Sequence, residues 1–387
     1  MDTRELDRAF IAHTYSRFPL EIVSGHGSTV RGADGKDYID LGSGIAVNLF
    51  GWSDAPWQAA VQAQLSRFAH CSNLYYSEPA AQLARLLCEK SGMRRVFFSN
   101  SGAEANECAI KAARKWAAQE KGSAYRNIIT LQKSFHGRTL ATLAATGQDV
   151  FHKDYQPLPG GFLYAPTGDA AALEALLQAN PCAAVFFECV QGEGGVMPIG
   201  QTFADEIAAL VRKYNVLLMV DEVQLGNGRS GQLYGYMHYS LQPDVVTTAK
   251  GLGGGLPLGA TMLGARVQDV FQPGDHGSTF GGNPVCCAGG VSVLSRIDEP
   301  LLVGVRERSA YLFDTLSGVD GIRSVTGMGL MLGLETVRPA REFAELALQS
   351  GVLVTTAKQK VRLLPALNIP LSQLKNATER LIDCAKK

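Results

Sequence analysis

The chain has no excess of charge of either sign: 36 Lys and Arg stand against 36 Asp and Glu. That removes the electrostatic reason to expect nucleic acid or an anionic membrane as partner, and leaves room for small anionic substrates. No apolar stretch approaches the roughly 20 residues of a membrane-spanning helix. The N-terminus, MDTRELDRAFIAHTYSRF, has mixed charge and no apolar signal region. The eight cysteines form no C-x-x-C and no paired zinc spacing, so no metal site is expected. Cys286 and Cys287 are adjacent, which is poor geometry for a disulfide. Free thiols in a reducing compartment, and hence a cytoplasmic protein, are the expectation. Internal repeats and low-complexity tracts are absent as well.

What is present is enough apolar material for a large core. Hydrophobic residues make up 46% of 387 positions and charged residues 19%, so bulk disorder is excluded. Short apolar runs alternate with helical patterns: RRVFF (94–98), NIITL (127–131), AAVFF (183–187), VLLMV (216–220), DVVTT (244–248) and ATMLG (260–264). Amphipathic stretches at 103–122, 170–180 and 203–214 lie between them. Such alternation predicts an α/β fold with a mainly parallel sheet covered by helices on both faces. The first sixty residues instead carry hairpin chemistry around Asp34-Gly35. After Pro284 the pattern is mostly helical, with strand-like runs at 329–335, 351–356 and 360–366. The expected organisation is an N-terminal segment (1–60) that joins a smaller α+β domain, a large domain (61–284) and a C-terminal part (285–387) of the small domain.

In open α/β sheets ligands bind beyond the carboxyl ends of the strands. The residues following the runs are SNSGAEAN, QKSFHGRT, ECVQGEGG, DEVQLGNGRSG and AKGLGGG. Polar loops are common singly; five of them on one sheet edge point to a site. Ser101 and Gly102 open a long helix, whose free N–H groups suit a phosphate, although an ordinary serine cap has the same appearance. Asp221 ends a buried strand, where a carboxylate needs a cation or donor. A protonated ring nitrogen of a cofactor is one such partner; Arg229 is another.

Lys250 also follows an apolar strand. Partial desolvation lowers the basicity of an amine and favours its nucleophilic form, as Schiff-base chemistry requires. Its glycines follow rather than precede it, so a Walker loop is excluded, and Leu256 stands where a dinucleotide fingerprint needs its third glycine. The glycines after Lys250 are expected to let the backbone turn close beside a bound cofactor. A lysine, a strand-end acid and a phosphate-ready helix start are the groups that pyridoxal phosphate needs.

The motifs SNSGAEANECAIKAAR, FHGRTLATLAATG, QGEGGV, DEVQLGNGRSG, TTAKGLGGGLPLGA and HGSTFGGNP together resemble the class III, fold type I aminotransferases, from about Pro19 to about Pro370. Within that family, GSGIAVNLFG, CSNLYYSEPAAQLARLL and YGYMHYSLQPDVVTTAKGLGGGLPLGA look most like the acetylornithine aminotransferases. The resemblance implies that Lys250 carries the Schiff base and that Asp221 pairs with the pyridine nitrogen. It puts Gln224 near the phenolic oxygen, in a segment with Glu222 and Val223, and Phe135 on the ring. Ser101, Gly102 and Ala103 would hold the phosphate, joined by Thr279 from the partner subunit of a homodimer. Arg138 would bind a substrate carboxylate with Ser278 close by. Arg362 would be the second carboxylate anchor, covered by Glu193 when only one carboxylate is held. Bidentate recognition of carboxylate is what a planar, permanently charged guanidinium offers.

Some positions depart from the family pattern. Ala103 stands where threonine is usual, FGWSDAPW replaces Gly-His-x-His-Pro, and Cys189 replaces the proline after Glu188. None removes a catalytic group. The expected activity is transfer of the terminal amine of N-acetylornithine to 2-oxoglutarate, giving N-acetylglutamate 5-semialdehyde and glutamate. Ornithine, succinylornithine and 4-aminobutyrate are the alternative donors. A nucleotide-binding enzyme and a non-catalytic binding protein are the readings from other classes.

Overall fold

A computed structural model describes residues 1–387. Seven strands form the central sheet, in the spatial order Arg95–Ser99, Gly259–Leu263, Val245–Thr248, Leu217–Asp221, Cys182–Phe187, Asn127–Leu131 and Phe162–Ala165. Gly259–Leu263 runs antiparallel to both neighbours, while the five strands from Val245–Thr248 to Phe162–Ala165 pair in parallel. The central strands are buried at every residue because helices cover both faces. Their unbroken apolar runs are the sequence trace of that double cover.

The long helix Gly102–Glu120 shows how the sheet edge is built. Ser101 Oγ accepts the Glu104 N–H at 3.1 Å, and the Glu104 carboxylate reaches back to the Asn100 N–H at 2.7 Å. This reciprocal pattern starts a helix firmly. Behind it, Ala105, Ala109, Ala112 and Ala113 are fully buried, small enough to bring the helix axis close to the sheet.

Two four-stranded sheets and a two-stranded ribbon, Val190–Gln191 paired with Met197–Pro198, complete the fold. Ile22–His26, Thr29–Gly32 and Asp37–Asp40 form an antiparallel meander whose Asp34-Gly35 turn has Gly35 at φ +80°. Val352–Leu353 joins it in parallel beside Ile39 and Asp40. Ile322–Met328, Met331–Thr336, Lys360–Leu363 and Thr355–Ala357 make the other. The run 351–356 therefore does not form one strand: it splits between two sheets. Two strands lie outside the sequence expectations: Phe162–Ala165, apolar but only four residues long at a sheet edge, and the bulged Ile322–Met328, whose sequence is mixed. Helix Pro284–Ser295 packs against helices Ala55–Arg67 and Glu78–Ser91 and against the turn that follows Lys250. All eight cysteines are free thiols, five of them buried. No helix is long and apolar enough to cross a membrane.

Candidate active site

Four central strands end at one edge, and the loops there converge. Asp221 closes the strand Leu217–Asp221 beside Thr247, and Lys250 follows three residues after Thr247 on the neighbouring strand. One Asp221 oxygen accepts from the Val223 N–H at 3.0 Å. The other accepts from Asn106 Nδ2 at 2.8 Å and faces His136 Nδ1 at 2.9 Å. His136 is buried and stacks on Phe186 with ring centroids 4.2 Å apart. The acid thus has three partners, and Arg229 is not among them. Arg229 donates instead to the carbonyls of Leu330 and Pro365, and burial lowers its pKa to about 9.

Neither His136 nor Asn106 was assigned a role from the sequence. His136 sits in FHGRT beside Phe135, and Asn106 lies one helical turn after Gly102, so position relative to the motifs was the available signal. Val223 packs its side chain against the helix start: a Cβ on Gly102 would lie 2.6 Å from Val223 Cγ1. The N–H groups of Gly102 and Ala103 belong to the first turn and have no acceptor within the helix. The adjacent Glu222 points the other way. It is fully buried, accepts the Tyr236 N–H at 2.9 Å, and is pushed by burial to a pKa of about 8. Its side chain therefore occupies a core position among Tyr236 and its neighbours.

Lys250 is half-buried and holds φ +44°, a conformation costly for any residue other than glycine. Desolvation lowers its pKa. Asp221, Glu193 and Glu188 pull it back up, and Arg362 pushes it down. Two of the glycines behind it are packed against protein. A Cβ on Gly251 would meet Leu49 Cδ1 at 2.6 Å, and one on Gly254 would meet Trp57 Nε1 at 2.7 Å. Close protein packing requires glycine at these two positions.

On the other side of Lys250 lies Arg362, only 2% exposed. Its Nη1 donates to Glu193, to Gln224 Oε1 at 2.9 Å and to the Gly192 carbonyl at 3.3 Å. Its Nε reaches Thr355 Oγ1 at 3.2 Å. Gln224 also donates to Glu193 at 3.3 Å. Gln224 thus belongs to the arginine cluster, a role the sequence did not suggest. Glu188, fully buried, accepts from the Phe135 N–H at 2.9 Å and the Gly192 N–H at 3.3 Å, tying the Phe135 loop to the Glu193 loop. Burial and the Asp221 charge hold its carboxyl well above the usual range.

The remaining expected residues sit at the rim. Phe135 is half-buried, and exposed Arg138 lays its guanidinium over Phe151 at 4.3 Å and Phe135 at 5.4 Å. Ser278 Oγ accepts from Asn100 Nδ2 at 3.1 Å and from the Gly281 N–H at 2.9 Å, beside the helix start of its own chain. Thr279 lines a small cavity with His70, Cys71 and Asn283.

A half-buried, less basic amine, a firmly held acid, an open helix start and a covered guanidinium define a group-transfer site for small anionic substrates. The aminotransferase class-III family profile matches residues 10–385, and the chain belongs to that family. It is 44% identical to the acetylornithine aminotransferase of Haemophilus ducreyi, over 96% of this chain and 95% of that protein. Among solved structures, N-acetylornithine aminotransferase from Stenotrophomonas maltophilia superposes with a TM-score of 0.85 at 33% identity, covering 98% of this chain and 97% of that one. Ornithine aminotransferase from Toxoplasma gondii superposes with a TM-score of 0.94 at 31% identity, covering 99% and 94%. A second structure of that Toxoplasma enzyme has partial occupancy of PLP at its active site.

Proposed function

We propose that this aminotransferase uses pyridoxal phosphate to move the terminal amine of N-acetylornithine to 2-oxoglutarate. The observation that carries the substrate reading is the Glu193–Arg362–Gln224 cluster beside Lys250. One site must accept a donor reacting at its terminal amine and glutamate reacting at its α-amine. A guanidinium whose acidic cover can be exchanged for a substrate carboxylate serves both.

The residues present fit pyridoxal phosphate. The first-turn N–H groups of Gly102 and Ala103 would receive the phosphate, and Asp221 would face the ring nitrogen. Bound there, the cofactor supplies an aldehyde that takes up the amine and a ring that draws electrons from the reacting carbon. Asn106, His136 and the Val223 N–H hold the Asp221 oxygens in place. Phe135, fixed through its N–H to Glu188, limits water on one face. Lys250 Nζ would take the proton from the donor's terminal carbon as base and then donate it as acid. Arg138 holds one carboxylate. Glu193 covers Arg362 in the first half-reaction and yields it to the second carboxylate of 2-oxoglutarate. Ping-pong kinetics follow from this order.

A homodimer in which Thr279 completes the partner's phosphate site is part of the proposal. The exposed Leu74, Tyr75, Tyr76 and Phe280 support such a covered face. A panel of donors tests the substrate reading: N-acetylornithine is expected to give the highest kcat/KM with 2-oxoglutarate. A higher value for ornithine, succinylornithine or 4-aminobutyrate would replace it.

A further inference from the structure

The segment FGWSDAPW, which departs from the family pattern, is built into the support of Lys250. Asp54 caps the helix Ala55–Arg67 by accepting the Trp57 N–H at 3.1 Å. Arg296, at the end of helix Pro284–Ser295, grips Asp54 with two bonds of 3.0 and 2.6 Å, and its guanidinium lies 3.9 Å from the Phe50 ring centroid. Bidentate pairs of this kind set orientation as well as proximity. The helix start, and the indole one turn inside it, are therefore held in place from outside.

That indole meets the lysine turn. Trp57 Nε1 donates to the Gly253 carbonyl at 3.1 Å, at the end of the short 3-10 turn Lys250–Gly253. Its ring fills the space beside Gly254, at φ +61°, and beside Gly289 of the helix behind: a Cβ at either glycine would lie 2.7 Å from Nε1. Leu49 closes on Gly251 from the N-terminal segment. Lys250 itself sits at φ +44°. A residue in that region persists only when its surroundings over-determine the backbone.

We infer that Trp57 is a positioning residue for Lys250: its indole N–H and ring clamp the turn that holds the lysine backbone, and so fix where the amine sits. The groups around that amine are Asp221, Glu193, Glu188 and Arg362, none of them on the Trp57 helix. Trp57 touches none of the reacting atoms, so its effect runs through the turn alone. This rests on Lys250 being the reactive amine, and the test keeps the two ideas apart.

The experiment is competitive labelling of the cofactor-free protein with acetic anhydride across pH, read on the Lys250 peptide by mass spectrometry. Wild-type Lys250 is expected to titrate below an ordinary lysine. An ordinary midpoint in the wild type would overturn the activated amine and with it the clamp's purpose. Trp57→Phe keeps a ring and deletes the N–H. With the turn loosened, the amine gains water and its midpoint rises by about half a unit or more, while kcat of the loaded enzyme falls about 10-fold. Trp57→His, which restores a ring N–H, recovers part of the shift. A Trp57→Phe protein that labels like wild type, or a Trp57→His protein no closer to wild type than Trp57→Phe, overturns the clamp. Where Trp57→Phe does not fold, Arg296→Gln decides: the same upward shift supports the clamp, and a wild-type midpoint overturns it.

Discussion

The two charged ends of the site are held in opposite ways. Asp221 is buried, and its partners are a backbone N–H, a helix side chain and a histidine locked by stacking on Phe186. Asn106 Nδ2 also donates to the His136 carbonyl at 2.7 Å, which ties two of these partners to each other. Arg362 is as deeply buried, but its acidic partner is different: the Glu193 side chain is 29% exposed against 2% for Arg362. If Glu193 swings away, Gln224 Oε1 and the Gly192 carbonyl still accept from the guanidinium. Removing a partner from a buried charge is costly unless others remain, so the remaining acceptors make the exchange tolerable. A fixed set of partners suits a group that must keep one orientation, and a replaceable partner suits a pocket that must accept two substrates.

The largest break in this comparison is at the fixed end. Asp221→Asn keeps the shape and removes the charge, and kcat is expected to fall about 10²–10³-fold, by steady-state kinetics in both directions. A smaller loss than for the exchangeable end would reverse the contrast. Glu193→Gln is expected to raise KM for the donor about 10-fold and to leave KM for 2-oxoglutarate unchanged or lower. If both KM values move together, Glu193 is a structural partner rather than a cover.

The smallest effect concerns Glu222, neighbour of Asp221 yet directed into the core. Its pKa of about 8 lies above the ordinary carboxylate value of 4.5 because burial disfavours the charge. Below 4.5 both states are protonated and its stabilising contribution is complete; between 4.5 and 8 the unfolded chain releases the proton more readily. Stability is therefore lost as pH rises through this window. Glu222→Gln is expected to flatten the fall in Tm between those limits, measured by calorimetry, with little change in kcat. An unchanged slope would mean that Glu222 is charged and paired in the folded protein.

Much of the large domain was legible because its strands are buried on both faces. NIITL coincides with the strand Asn127–Leu131, and the neighbouring runs differ by about one residue. Lys250 and Asp221 stood out because a charged group directly after an apolar run is costly without a purpose. Phe162–Ala165 was not legible, since a four-residue edge strand has too few positions to show a period. The run 351–356 misled because two short strands in one apolar stretch look like a single longer one. Among site residues, His136 and Asn106 escaped because hydrogen-bonding side chains are common near helices and loops. Only the 85 and 115 positions that separate them from Asp221, closed up by the fold, reveal their task.

By itself the sequence determined the class of sheet, the strand edge that carries the chemistry, and, through a chain of motifs in family order, the aminotransferase class. These follow from local patterns: apolar periodicity, charge after a strand, glycine after lysine. Tertiary structure decided who faces whom. It turned Glu222 into the core, drew Gln224 to Arg362, and set Gly251 and Gly254 against Leu49 and Trp57. The reason is physical: a side chain's partner depends on contacts between residues far apart in the chain, which spacing along the sequence does not encode.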